Sequence, residues 1–412
     1  MQPRSLKPPK KKSRLPKKAL IGSVAITILA AAYAAFALLQ PIHTLQPNAV
    51  HSQLAITTQA SNLPWPNYGE GAFGLADGTV ITTHGQQVPV STASAAKLIT
   101  ALVVLDKHPL VAGQSGPIIA ITANDAALYQ YYATHGGSVM PVRAGMQLTE
   151  RQMLEGLLLP SANNIADSLA IWSYGSMVNY IAQANNFLQA HNLLDTHVAG
   201  DASGFLPDTT STASDLVKIG GMVMQNPVLA SVVGERVATI PGVGLVSNYN
   251  SLLGSNNIVG IKTGNNDVDL GVFVGAATAH FDGKTTTIIT ALAGAPSLKA
   301  VLQDSGNLLA AAQTTFADTL VVKSGTVLGG YVQPDGQRLQ AVAAGDLNTT
   351  VLRGSTVKAT VQLRTVNFSA TAGQKVGTVS VAATEFAPAR SVPVILKQTP
   401  SKPGLWYRLT HP

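Results

Sequence analysis

Hydrophobic and polar positions divide the chain into stretches of different texture. An unbroken apolar run extends from Ala19 to Leu39. At about 1.5 Å per helical residue it is long enough to cross a hydrocarbon core roughly 30 Å thick. It predicts a transmembrane anchor over 19–40. The alternative is a cleaved signal peptide, with Ala34, Ala35 and Ala37 as small residues near a cleavage site, but the run exceeds the usual apolar region of about 7 to 15 residues. Residues 41–62 carry Pro41, Pro47 and several Gln and Thr with little period, which suits a linker.

From Trp65 to about Asp318, strand-like pieces such as 78–82 alternate with helical ones such as 150–159 and 165–172, an α/β pattern assigned to a domain over 63–320. Within it, 271–277 and 285–293 read as two antiparallel strands joined by a polar turn at Asp282-Gly283, and 298–316 reads as a helix. Beyond Asp318 come short alternating runs, 350–353, 356–363 and 376–381, punctuated by Gly and Asp. They predict a small all-β domain over 321–400, followed by a proline-punctuated tail over 401–412. In that tail Trp406 and Tyr407 read as a structural aromatic pair, with contact to a membrane interface as the alternative.

Charge sharpens the reading of the N-terminus. Of 412 residues 46% are hydrophobic and only 11% charged, which excludes a disordered chain. The formal charge is +7, yet Arg4, Lys7, Lys10, Lys11, Lys12, Arg14, Lys17 and Lys18 precede the apolar run with no acid among them, so the remainder is close to neutral. A basic segment before a span predicts a cytoplasmic tail over 1–18, a single pass through the cytoplasmic membrane, and an extracytoplasmic remainder. The segment lacks interleaved aromatics, so topology or lipid head groups explain it better than nucleic acid. No cysteine is present, which removes thiol nucleophiles and thiolate metal sites. The nine histidines show no ligand spacing, so no metal or cofactor is expected. Gly200-Asp-Ala-Ser203-Gly204 lacks the spacing of a nucleophile elbow and reads as a turn.

Three short motifs stand in order: Ser94-Ala-Ala-Lys97, Ser161-Ala-Asn163 and Lys262-Thr263-Gly264. The first opens a helix with an apolar stripe through Leu98, Ala101, Leu102 and Leu105. Ser94 then lies in the first turn, and i to i+3 spacing puts Lys97 on the same face. An amine there can take the hydroxyl proton if its surroundings keep it neutral, through burial or through a second cation such as Lys262. The second motif follows Leu157-Leu-Leu-Pro160, at a turn between helices. Ser161 there is either an N-cap or a proton relay, and Asn163 a substrate contact. The third ends an apolar approach, 258–261, that reads as an edge strand facing a cleft. Lys262 and Thr263 suit a terminal carboxylate, Gly264 lets substrate lie against the strand, and the N–H groups of Ser94 and Asn265 suit an oxyanion hole.

Taken together, the motifs resemble those of the low-molecular-mass penicillin-binding proteins, the serine D-alanyl-D-alanine carboxypeptidases. Gly136-Gly-Ser-Val-Met-Pro-Val, Asp201-Ala-Ser-Gly-Phe, Ser211-Thr-Ala-Ser-Asp-Leu and Asn248-Tyr-Asn-Ser-Leu-Leu extend the resemblance over about 65 to 320. It implies a penicillin-binding/β-lactamase-like fold, an antiparallel sheet flanked by helices with a helical subdomain. It further implies Ser94 as nucleophile, Lys97 as general base, Ser161 as relay, Asn163 as substrate contact, and Lys262, Thr263 and Gly264 as the carboxylate-binding strand. The implied partners are the peptidoglycan stem peptide, β-lactam antibiotics as inhibitors, and the cytoplasmic membrane. Two departures stand out. Asn265-Asn266 follows Gly264 where the family often has Thr two residues on, and the tail lacks the C-terminal amphipathic helix that tethers many relatives. The competing readings are a β-lactamase, disfavoured because Glu235 alone among five Glu lies between the second and third motifs, and a catalytically silent wall-binding protein.

Overall fold

The apolar strands that flank the third motif assemble into a five-stranded antiparallel sheet in the order Ile258–Asn265, Gly271–Phe281, Lys284–Ala295, Glu70–Leu75, Val80–His84. This computed structural model describes residues 17–41, 44–49, 52–266, 271–281, 283–384 and 386–411. The hairpin expected from 271–293 is its centre, with Phe281 opposite Lys284 and Ala276 opposite Ile289. Gly283 occupies the connecting turn, and Asp282 lies outside the described residues. Helix Ala213–Gln225 and helix Leu298–Ala312 both pack on the sheet, which is why Gly271–Ala277 and Thr290–Ala293 are buried without alternation. The second of these helices stops at Ala312, short of the expected 316. Thr315 turns back with its hydroxyl on the Ala312 carbonyl, and Phe316 opens a strand whose ring stacks on Phe281 at 4.5 Å.

Helices Ala96–Lys107, Ala123–Thr134, Glu150–Leu158, Asn163–Tyr174 and Met177–Ala190 form the helical part of the same unit. Every residue from Ala96 to Leu105 is buried, so this helix is enclosed by its neighbours rather than amphipathic. Thr122 with Asp125 and Thr149 with Gln152 form capping boxes that fix two of the helix starts, each worth about 1 kcal/mol.

The chain divides into two compact units, Gln59–Asp318 with Leu352–Ser355 in one, and the described residues to Thr58, Thr319–Val351 and those from Thr356 in the other. The second unit holds a seven-stranded antiparallel sheet in the order Pro47–Ala49, Val327–Val332, Arg338–Ala343, Arg390–Leu396, Lys375–Val381, Thr356–Leu363, Gln53–Thr57. The elements between Val327 and Leu396 are all strands, in keeping with the expected all-β texture. The linker expected over 41–62 is not what the structure shows at 47–49 and 53–57, because these two strands close the two edges of the sheet. They are too short to display a period of their own, and their register is set by the strands they join, Asn48 opposite Gly330 and Ala55 opposite Lys358.

Helix Lys17–Leu39 is long and apolar enough to cross a membrane by length and composition. The tail is not irregular throughout: Leu405–Thr410 is a short helix. Its Arg408 guanidinium donates to the carbonyls of Leu38 and Gln40 at the end of the long helix, and the Tyr33 hydroxyl donates to the Leu409 carbonyl at 2.9 Å. The expected aromatic pair does not form. Trp406 is 79% exposed, and the Tyr407 ring stacks on His411 instead.

Glu150, at the first position of its helix, is fully buried, and neither carboxylate oxygen has a hydrogen-bond partner among the described residues. Burial pushes its pKa from 4.5 up to about 7. Between those two values the unfolded chain has released a proton that the folded chain retains, so stability declines as pH rises through this window, by up to about 3 kcal/mol. Urea unfolding at pH 5 and pH 8 should show this decline, and Glu150→Gln should remove most of it.

Candidate active site

The turn that carries Ser94 is built under backbone strain. Thr92 is anchored by its N–H on the Thr209 carbonyl at 2.9 Å, Ala93 adopts φ +43°, and a 3-10 turn over Ala93–Ala95 feeds the helix from Ala96. Ser94 therefore sits in the turn that enters the helix rather than in its first α-helical turn. The left-handed φ is costly for a residue with a Cβ and persists only where the surroundings enforce it. Gly204 is part of that enforcement: at φ +69° it packs so closely that an added Cβ would lie 2.0 Å from the Ala93 carbonyl oxygen. On the other side Gly264 lets its strand approach, since a Cβ there would stand 3.0 Å from the Thr92 carbonyl oxygen and 3.2 Å from the Ser94 nitrogen.

The spacing from Ser94 to Lys97 does what the sequence predicts. Lys97 Nζ is 2.8 Å from Ser94 Oγ, 2.7 Å from Asn163 Oδ1 and 2.9 Å from the Ser203 carbonyl oxygen. Lys97 is wholly buried while Ser94 stays partly exposed. As an ammonium it donates to all three oxygens. As a neutral amine it donates to Asn163 and Ser203 and accepts the Ser94 hydroxyl on its lone pair. Burial lowers its pKa to about 7, against the pull of the Asp201 and Asp167 carboxylates in the opposite direction. Burial, one of the two causes anticipated from the sequence, is thus the main one, and the second cation is not among the causes that act on Lys97. The proximity of the two lysines registers at Lys262, held well below its usual value first by burial and then by Lys97.

Ser161 follows the helix-closing Pro160 in a left-handed conformation, φ +60°, and the next helix starts at Asn163, whose N–H donates to the Ser138 carbonyl at 2.7 Å. Ser161 is not an N-cap; Ala162 holds that position. The Ser161 Oγ accepts a hydrogen bond from Lys262 Nζ at 2.9 Å. Asn163 spends its carbonyl oxygen on Lys97 and turns Nδ2 toward Gly137. Lys262, Thr263, Gly264 and Asn265 lie on Ile258–Asn265, which is an edge strand as expected, and Lys262 also donates to the Thr263 carbonyl.

A cleft of about 560 Å³ opens above these groups. Ser94, Ser161, Asn163, Thr263, Gly264 and Asn265 line it, whereas Lys97 and Lys262 lie beneath its surface. No acidic side chain lines it among the described residues. All eight residues singled out in the sequence are therefore gathered around one cleft. What the sequence did not reveal is the Ser203 carbonyl, because a backbone acceptor leaves no mark in residue type. The turn at 200–204 was legible, and Asp201 closes it by accepting from the N–H groups of Ser203, Phe205 and Leu206. Among the described residues no group of three His, Cys, Asp or Glu is arranged to hold a metal.

Residues 73–295 match the family model described as D-alanyl-D-alanine carboxypeptidase, peptidase family S11. The chain is similar to D-alanyl-D-alanine carboxypeptidase DacB2 of Mycobacterium tuberculosis, 32% identical over 227 residues, which are 53% of this chain and 74% of that protein. DacD of Escherichia coli K12 is 25% identical over 283 residues, covering 66% of this chain and 71% of the relative. Among solved structures, penicillin-binding protein 5 of Haemophilus influenzae superposes with a TM-score of 0.57 at 21% identity, covering 82% of this chain and 98% of that one, a likeness of fold. The Streptomyces K15 DD-transpeptidase superposes with a TM-score of 0.54 at 26% identity over 61% of this chain and 98% of its own. With a family model matched over more than half its length, a fold shared with penicillin-binding proteins and the motif triple around one cleft, the chain belongs to the serine-type D-alanyl-D-alanine carboxypeptidase family.

Proposed function

We propose that this chain removes the terminal D-alanine from peptidoglycan stem peptides through an acyl-enzyme on Ser94, and that β-lactams acylate the same hydroxyl. The observation that carries this reading is the contact between Lys97 and Ser94, 2.8 Å long, made by a buried amine whose other two partners are both acceptors. In the neutral form Lys97 takes the hydroxyl proton as Ser94 Oγ attacks the carbonyl carbon between the two alanines. The N–H groups of Ser94 and Asn265 suit the oxyanion that forms. Collapse of the tetrahedral adduct breaks the C–N bond, and the proton taken up by Lys97 passes through Ser161, whose oxygen is held by Lys262, to the leaving amine. Water then attacks the ester, returns the proton to Ser94 and releases the shortened peptide.

Substrate recognition falls to the third motif. A terminal carboxylate entering beside Thr263 and Asn265 approaches the buried Lys262 amine and favours its protonated form. The family model matched over residues 73–295 is that of D-alanyl-D-alanine carboxypeptidases, which favours this reading over a β-lactamase. The charge pattern around the apolar helix supports anchorage in the cytoplasmic membrane with the peptidase outside it. The relative from Streptomyces K15 carries both names, D-alanyl-D-alanine carboxypeptidase and DD-transpeptidase, so transfer of the acyl group to an amine is the variant to be separated from hydrolysis.

Incubation with a purified pentapeptide and mass analysis should show loss of one alanine, whereas a cross-linked product would assign transfer and an unchanged peptide would refute both. Ser94→Ala should leave the protein folded and reduce D-alanine release and fluorescent-penicillin labelling by roughly 10⁴-fold or more. Acylation by penicillin should rise with pH through about 7 as Lys97 loses its proton, and a rate independent of pH from 6 to 8 would remove Lys97 as the base. Lys262→Ala should weaken turnover of peptides ending in a free carboxylate by about 10- to 100-fold relative to the amidated peptides, the difference expected for one charged hydrogen bond.

A further inference from the structure

Asp167 lies one helical turn beyond Asn163, and its side chain is buried. One carboxylate oxygen accepts the Tyr132 hydroxyl at 2.7 Å and the other accepts the Ala202 N–H at 3.0 Å. None of the described ion pairs includes it. A buried carboxylate without an ion-pair partner is costly, and this one is offset by two hydrogen bonds whose donors come from different elements. Tyr132 is in helix Ala123–Thr134, which leads directly into the cleft-lining residues Gly136 to Ser138.

The Ala202 contact gives the carboxylate its place in the chemistry. Asp167 holds the N–H of Ala202, Thr100 Oγ1 donates to the Ala202 carbonyl at 2.6 Å, and the next carbonyl, that of Ser203, receives Lys97 Nζ. Thr100 is itself bonded to the Tyr180 hydroxyl at 2.7 Å. Ala202 is thus held through both its N–H and its carbonyl, and the Ser203 N–H donates to Asp201, which together constrain the direction of the one carbonyl that consumes a Lys97 N–H. With that N–H and the one on Asn163 committed, the remaining position on nitrogen can point only toward Ser94.

We propose that Asp167, held by Tyr132, is a positioning residue that fixes the Ser203 carbonyl against Lys97 and so aims the amine at Ser94. The proposal rests on the acylation mechanism above and deepens it. Its electrostatic consequence has a definite sign. The groups that face Lys97 are Asp167 from helix Asn163–Tyr174, Asp201 from the turn, Lys262 from the edge strand and, through Asp167 and Thr100, the phenols Tyr132 and Tyr180. The Asp167 anion favours the ammonium form of Lys97, so discharging it should make the lysine a free base at lower pH. Burial pushes the Asp167 carboxyl itself up to about 6, while the Tyr132 hydrogen bond helps to keep it ionised. Loss of that bond should therefore act on Lys97 in the same direction as loss of the charge.

The test is the pH dependence of acylation by a fluorescent penicillin, measured on the full chain in detergent for the wild type, Asp167→Asn and Tyr132→Phe, with circular dichroism to verify folding. Asp167→Asn keeps the shape and removes the charge. It should move the midpoint of the rising limb down by about one pH unit, the smaller end of the usual effect of a nearby charge. Tyr132→Phe should move it in the same direction by less. Asp167→Ala removes the anchor as well and should also lower the plateau rate at least tenfold. An unchanged plateau in a folded Asp167→Ala protein overturns the positioning role, and an unchanged midpoint in a folded Asp167→Asn protein overturns its electrostatic consequence. If that variant does not fold, the midpoint of Tyr132→Phe decides. A wild type that is not acylated at all overturns the acyl-enzyme reading instead, so the two failures are distinguishable.

Discussion

The structure around the cleft depends on a buried amine with three oxygen partners and, among the described residues, no carboxylate paired with it. A lysine paired directly to an acid would stay protonated and could not serve as a base. A lysine in solvent would do the same. Lys97 escapes both outcomes because its partners are a hydroxyl, an amide oxygen and a backbone carbonyl, all of which accept from an ammonium but none of which carries a charge. In the proposed mechanism one proton on this amine separates the inert state from the reactive one.

Holding that arrangement requires strain elsewhere. Ala93 and Ser161 both take left-handed backbone conformations without being glycine, and each presents a neighbouring or its own hydroxyl to the cleft. The glycines do the complementary task. Gly204 and Gly264 bring the 200–204 turn and the edge strand to the two sides of the Ser94 turn at distances a side chain would forbid. The enclosed helix Ala96–Lys107 and the doubly covered sheet provide the rigid packing against which such strain can be maintained.

Much of this was legible beforehand, for reasons that differ by element. The central hairpin and the edge strand showed themselves because a strand buried on both faces must be continuously apolar, and the Ser94 to Lys97 relation followed from helical periodicity alone. The strands at 47–49 and 53–57 were hidden because edge strands take their order from their neighbours, which no local pattern encodes. The helix after Gly404 was masked by the prolines that precede it. At the cleft, the eight residues expected from the motifs come together, while the Ser203 carbonyl and the buried Asp167 were not anticipated. The former has no signature in residue type. The latter sits in a helix between Ala166 and Ser168, where a single acid reads as an ordinary surface position until its burial is seen.

The protonation state of Lys97 is the quantity on which the whole account turns, and it can be observed without substrate. With lysines labelled at Cε, a carbon NMR titration of the full chain in detergent, assigned through a Lys97→Arg variant, should show the Lys97 resonance moving with a midpoint near 7. A resonance that stays in its ammonium position to pH 10 would contradict the account, because the buried amine would then never be the base that the geometry around Ser94 requires.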